Sequence, residues 1–191
     1  MMDKQGSKDM VTILMVPGFT GSSPGHWQSI WERAHPEYRR VRQRDWDKPE
    51  PGEWTDALDR AVQAVPGRVI LVGHSLGCIT IVRWATDRTA PGVDGALLVA
   101  PSDVEAETAP PEVRSFAPIP LERLPFETWL VTSTNDPLVS FARAKFFAAR
   151  WGSRCITIGE AGHIHTAAGY GPWPEGHDML MQLAHEPAAR Q

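Results

Sequence analysis

The sequence predicts a three-layer α/β sandwich: about six mostly parallel strands, helices on both faces, and no separate cap domain. Three observations lead there. Short apolar runs recur, as in Val11-Thr-Ile-Leu-Met-Val16 and Val69-Ile-Leu-Val72, the pattern of strands buried on both faces. Stretches with apolar residues at helical spacing alternate with those runs, and such alternation builds βαβ units on a parallel sheet. Between one run and the next helix stands Gly73-His-Ser-Leu-Gly77, which fits G-x-S-x-G. That pentapeptide turns sharply and holds its serine above the strand's carboxyl end.

Taken in order, residues 1–9 and 187–191 read as tails, and the chain between them as one domain. After the strand 11–16 and the turn Pro17-Gly18-Phe19, Ser23 is expected to cap a helix with Pro24 at its first position. That helix carries Trp27, Ile30, Trp31 and Ala34 on one face. Arg39 to Gln43 alternates charged and apolar residues, as an edge strand does. Trp54, Leu58, Ala61, Val62 and Val65 form the stripe of a second helix, which Pro66-Gly67 ends. Leu76, Ile79, Val82 and Ala85 mark the largely buried helix after Ser75, and Gly95 to Ala100 is the next strand. No periodicity persists from Pro101 to Glu127, where six prolines fall, so this loop is the candidate lid. Thr128 to Ser133 is a strand, and Ser140 caps a helix that Gly152 terminates. Arg154 to Ile158 is the last strand, followed by a Gly-rich loop and a helix from about Pro174 to His185.

Composition excludes more than it selects. A net charge of −4 without a basic run argues against nucleic-acid and anionic-membrane partners. The N-terminus lacks an apolar leader and no stretch is long enough to span a bilayer, so a cytoplasmic protein is expected. Cys78 and Cys155 read as reduced core residues of such a protein. A monomer is expected, with a dimer as the alternative.

In parallel α/β sheets, sites form at the carboxyl ends of strands. Ser75 stands at one such end, and its hydroxyl needs a base that a third group orients. His163, five residues past the strand ending at Ile158, is the favoured base, with His165 and His177 behind it. His74 adjoins the serine but points away from it, and His35 and His185 lie on helices far from any strand end. The pair His163 and His165 lacks a third ligand at sensible spacing, so neither metal nor other cofactor is expected. For the acid, Asp136 and Asp103 both follow strand ends. Asp136 is preferred because its strand neighbours the one leading to His163.

The order Ser75, Asp136, His163 is that of the α/β-hydrolases. In that arrangement the oxyanion hole takes the backbone N–H of Leu76 and one from the loop after the first strand, where Phe19 is the chosen donor. The chain resembles the small cap-less α/β-hydrolases of the retinoblastoma-binding, YdeN-like serine hydrolase family. The resemblance rests on Val16-Pro-Gly-Phe19, Ser22-Ser-Pro-Gly-His-Trp27, Gln43-Arg-Asp-Trp46, Gly73-His-Ser-Leu-Gly77, Asn135-Asp-Pro137, Gly162-His-Ile164 and Gly171-Pro-Trp-Pro-Glu175. It implies a serine hydrolase of small esters or amides, with Ser75, Asp136 and His163 at the matching positions; thioesters are a further candidate class. The first loop reads Phe-Thr-Gly in place of a glycine run.

Trp46 is expected at the rim near Ser75, with Phe19 and His26 beside it, as substrate-binding residues that suit an apolar or aromatic group. Trp27 and Trp31 are expected in the core. The alternative function is a hydrolase-fold interaction protein with little turnover, which a serine-directed probe separates from an enzyme.

Overall fold

A computed structural model describes residues 11–90 and 92–185. The expected tails, 1–9 and 187–191, lie outside those residues. Six strands form one sheet, all parallel: β1 (Val11–Val16), β2 (Arg39–Arg40), β3 (Arg68–His74), β4 (Val93–Val99), β5 (Glu127–Thr132) and β6 (Arg154–Thr157). Their spatial order is β2-β1-β3-β4-β5-β6. The chain therefore reverses its winding between β1 and β3, which leaves a crevice at the carboxyl ends of those two strands.

Alternation along the strands fills both faces. Leu14, Val16, Leu71, Ala96, Leu98 and Leu130 point to one side, where they meet α2 (Pro51–Gln63), α3 (Leu76–Asp87) and α4 (Phe141–Trp151). Ile13, Met15, Ile70, Val72, Leu97 and Val131 point to the other, against α1 (Trp27–Ala34) and α5 (Pro174–His185). The central strands are apolar on both faces because both faces are covered. Trp27 and Trp31 lie in this second core as expected.

Helix α4 begins and ends where its sequence says it should. The Ser140 hydroxyl accepts the Arg143 N–H at 3.1 Å, and Gly152 closes the helix in the left-handed conformation, φ 72°. Four expectations are corrected. Ser23 does not cap α1: Ser23-Pro24-Gly25 makes a turn, His26 N–H donates to the Ser23 carbonyl, and the His26 ring caps the helix through the Gln28 N–H at 3.2 Å. Strand β2 stops at Arg40, because past that point only Val41 N–H reaches the neighbouring Met15 carbonyl. Cys155 is exposed, since β6 is the edge strand of the sheet. The proline-rich stretch 101–127 is not structureless. It contains a 3₁₀ turn, Pro111–Phe116, and it buries Val104, Val113, Phe116, Ile119 and Leu124 in the first core, with Phe116 edge-on to Trp54. Prolines hide its periodicity, yet its apolar residues anchor it like a core element. Among the described residues, no helix is long and apolar enough to cross a membrane.

Candidate functional site

Ser75 sits between β3 and α3 with φ 55° and ψ −124°, a backbone conformation that side chains other than glycine's rarely adopt. Its neighbours enforce the turn. Ser75 N–H donates to the Val99 carbonyl at 3.1 Å, and Cys78 N–H donates to the Ser75 carbonyl at 3.0 Å. Glycine is required at position 77, where a Cβ would stand 2.0 Å from the Val16 carbonyl oxygen. It is required at position 18 for the same kind of reason: a Cβ there would lie 2.8 Å from the Ser75 Cβ and 3.0 Å from the Leu76 nitrogen. The Pro17-Gly18-Phe19 turn thus passes directly over the start of α3, and Thr20 N–H ties it to the Trp46 carbonyl at 2.9 Å.

His163 lies in the loop after β6, and its imidazole is almost fully buried. The Asp136 carboxylate, wholly buried itself, receives the His163 Nδ1–H, with Oδ2 at 2.9 Å and Oδ1 at 3.0 Å. This bond puts the proton on Nδ1 and leaves the Nε2 lone pair free; Nε2 is buried with no hydrogen-bond partner among the described residues. Asp136 Oδ1 also accepts the Leu138 N–H at 2.8 Å, the Asx turn expected before Pro137. Asp103 borders a small cavity beside Ser75 but has other partners than His163. Its carboxylate accepts from Arg143 Nε at 3.2 Å and from the Glu105 N–H at 3.3 Å, among surface charges.

The loop that carries His163 is held at several points. Asn135 Oδ1 accepts the Gly162 N–H at 2.7 Å, and Ser133 Oγ accepts the Ala161 N–H at 3.0 Å. Trp27 Nε1–H donates to the Ile164 carbonyl at 2.9 Å, and His74 Nε2–H donates to the His163 carbonyl at 3.0 Å. His74, expected to point away from Ser75, lines the same cavity as the serine and bonds the backbone of His163. Burial, followed by the neighbouring His163 and His26, pushes the His74 pKa well below its ordinary value.

Ser75 and His163 line one cavity of about 580 Å³ at the carboxyl end of the sheet, with Phe19, Thr20, His26, Trp46 and His165. Trp46 is half-buried there, edge-on to Trp54 and against Gly21. His26 is held neutral, its pKa lowered to about 3 by burial and then by His165, Arg40 and His163. Arg40, the cation in this wall, is already paired with Glu32 at 2.8 Å. His165 stands edge-on to His163, with its Nδ1 buried and unpartnered among the described residues. His177 is brought elsewhere: it bonds the Tyr38 hydroxyl at 2.9 Å, in a cavity beside Val11 and Arg68 at the amino ends of β1 and β3. Among the described residues, no group of three or more His, Cys, Asp or Glu is arranged to hold a metal ion.

One site residue escaped the sequence reading. Ser102 Oγ lies 2.8 Å from Ser75 Oγ and shares a hydrogen bond with it. The signal was available, since Ser102 follows the strand end that flagged Asp103.

The chain is similar in sequence and fold to known proteins. The family described as serine hydrolase matches residues 13–182. A protein named YdeN-like hydrolase from Pectobacterium atrosepticum is 35% identical, with 92% of this chain and 91% of that one aligned at a TM-score of 0.82. The ydeN gene product of B. subtilis shares the fold at 18% identity, with 93% of this chain and 100% of that one aligned and a TM-score of 0.74. A thermophilic esterase from Thermogutta terrifontis shares the fold at 15% identity, covering 94% and 92% of the two chains with a TM-score of 0.67. No curated protein sequence matches the chain.

Proposed function

Because the chain belongs to the serine hydrolase family, we propose that it cleaves small carboxylic esters, and by extension amides or thioesters, through an acyl-enzyme on Ser75. The observation that carries this reading is the free Nε2 lone pair of His163, fixed by Asp136, in the same cavity as a serine held on a strained turn. In the reaction Ser75 Oγ attacks the carbonyl carbon while His163 Nε2 takes the hydroxyl proton. Asp136 holds the imidazole tautomer and stabilises the imidazolium that forms. The N–H groups of Leu76 and Phe19 receive the developing oxyanion, and the imidazolium protonates the departing alkoxide. Water then repeats the sequence on the acyl-enzyme, giving acid and free serine. No metal or cofactor takes part in these steps.

In the resting arrangement Ser75 Oγ pairs with Ser102, so a rotation about its Cα–Cβ bond precedes transfer to His163. Hydrogen bonds of this kind commonly form only when substrate is bound. Trp46 and His26, both in the cavity wall, contact the substrate in this reading. The reaction is assigned to a monomer in the cytoplasm, where free Cys78 stays reduced. A fluorophosphonate labels Ser75 stoichiometrically, and Ser75→Ala abolishes labelling and ester turnover. Turnover that survives in Ser75→Ala excludes this mechanism; a folded wild-type protein that neither labels nor turns over is a hydrolase-fold interaction protein instead.

A further inference from the structure

Ser75 borders two cavities of very different size. The wide one, about 580 Å³, contains His163 and His165. The second, about 50 Å³, lies on the other side, where Phe19, Ala109, Pro110, Val113 and Leu138 surround Ser75 and Ser102, with Asp103 and Thr108 at its polar edge. Phe19 and Leu138 line both and form the partition between them. The narrow cavity is built from the anchored stretch after β4: Ala109 and Val113 are buried in the first core, so its back wall is not free to withdraw.

Acyl transfer assigns the two halves of an ester to these cavities. The leaving oxygen must take its proton from the group that removed the serine proton, so it departs on the His163 side. His163 lines the wide cavity and not the narrow one. We propose, on the reading of Ser75 and His163 given above, that the narrow cavity is the acyl site and limits the enzyme to short, unbranched apolar acyl groups, while the wide cavity takes a larger alcohol. A volume of about 50 Å³ holds roughly three to five non-hydrogen atoms, at about 10–15 Å³ for each water-sized occupant. That admits acetyl to about butanoyl and excludes octanoyl. The hydroxyls of Thr20, Ser22, Ser23 and Thr166 around the wide cavity suit an alcohol that carries oxygen. The step balances as a hydrolysis: one water is consumed, the acyl C–O bond breaks, and the acid and the protonated alcohol are released.

The experiment measures kcat/KM on two ester series. In 4-nitrophenyl esters from acetyl to octanoyl, the value is expected to fall more than about tenfold between butanoyl and octanoyl. In acetates of methanol, phenol and 2-naphthol, the step from phenyl to naphthyl is expected to cost less than about threefold. Leu138→Ala trims an exposed side chain, so the fold is safe, and should raise the octanoyl-to-butanoyl ratio at least fivefold. A flat or rising acyl series, sharp loss with the larger alcohol, or an unchanged ratio in Leu138→Ala overturns the assignment while leaving the hydrolase reading intact. No turnover of any ester and no labelling of Ser75 instead overturns the hydrolase reading on which the assignment rests.

Discussion

His74 Nε2–H donates to the backbone carbonyl of His163 across 3.0 Å, joining the residue before Ser75 to the loop residue 89 positions later. A buried neutral imidazole thus acts as a strut: the turn that presents Ser75 also sets the distance to the His163 loop. His26 packs beside the His74 ring, tilted against it with centroids 4.7 Å apart.

The strut can be tested directly. His74→Phe keeps a ring but removes the donor, leaving the His163 carbonyl unpaired in the interior. We expect kcat to fall about 10- to 100-fold with KM changed less than about threefold, because the loss is one of alignment in the transition state. Fluorophosphonate labelling of Ser75 should slow in parallel. His74→Gln, which can supply an N–H to the same carbonyl, should recover part of both rates. A His74→Phe protein as active as wild type makes the contact structural only.

Asp136 and Asp103 separate by chemistry. Asp136 bonds His163 Nδ1, whereas Asp103 bonds Arg143. Asp136→Asn can invert the His163 tautomer, an effect on the order of 10⁴ in turnover in the trypsin-class precedent. Asp103→Asn should cost less than about tenfold, with at most about 1 kcal/mol of stability from the partly exposed ion pair. Turnover of both variants, each shown to be folded by its melting curve, checks the assignment; the reverse ranking moves the acid to Asp103.

Acid should destabilise the fold through His26. Its folded pKa is about 3, depressed from the ordinary 6.5 chiefly by burial. The unfolded chain therefore binds a proton that the native state refuses, so the stability is complete above about pH 6.5 and drains away as pH falls toward 3. Between pH 7 and pH 5 this single group should remove about 2 kcal/mol. His74, shifted in the same direction, adds to the loss. His26→Asn keeps a side-chain oxygen to cap α1 and should make urea-measured stability less dependent on pH by about that amount. Equal losses in the two proteins contradict a neutral buried His26.

The two glycines Gly77 and Gly52 predict opposite outcomes. A Cβ at Gly77 would meet the Val16 carbonyl oxygen at 2.0 Å and Pro17 oxygen at 2.9 Å, both rigid backbone. Gly77→Ala should therefore destabilise by more than about 3 kcal/mol or prevent folding, by overpacking at the β1–α3 contact. At Gly52, in the first turn of α2, a Cβ meets nothing within 4 Å. Gly52→Ala should stabilise by about 0.5–1 kcal/mol through helix propensity and a less flexible unfolded chain. Denaturant midpoints of the two variants decide the matter.

The strands, the turn at Ser75 and the ends of α4 were legible in the sequence because each is written in adjacent residues. Val69 to Val72 needs only its own apolar side chains to announce a doubly buried strand. Ser140 and Gly152 satisfy orphan backbone groups within one helical turn of themselves. Gly73, Ser75 and Gly77 declare a close strand–helix approach through the absence of two Cβ atoms. Other features were decided only when the chain closed on itself. His163 and Asp136 meet across 27 residues because β6 pairs with β5, and two aspartates past strand ends look alike until that pairing is known. Cys155 is exposed because β6 happens to be the edge. The stretch 101–127 is pinned by Trp54 and its core neighbours, although its own prolines erase any period. Ser102 meets Ser75 only because β4 lies next to β3. Short-range stereochemistry and burial pattern determine what each segment is. Which segments touch depends on strand order and register, and those follow from the free energy of the whole core, which no single stretch contains.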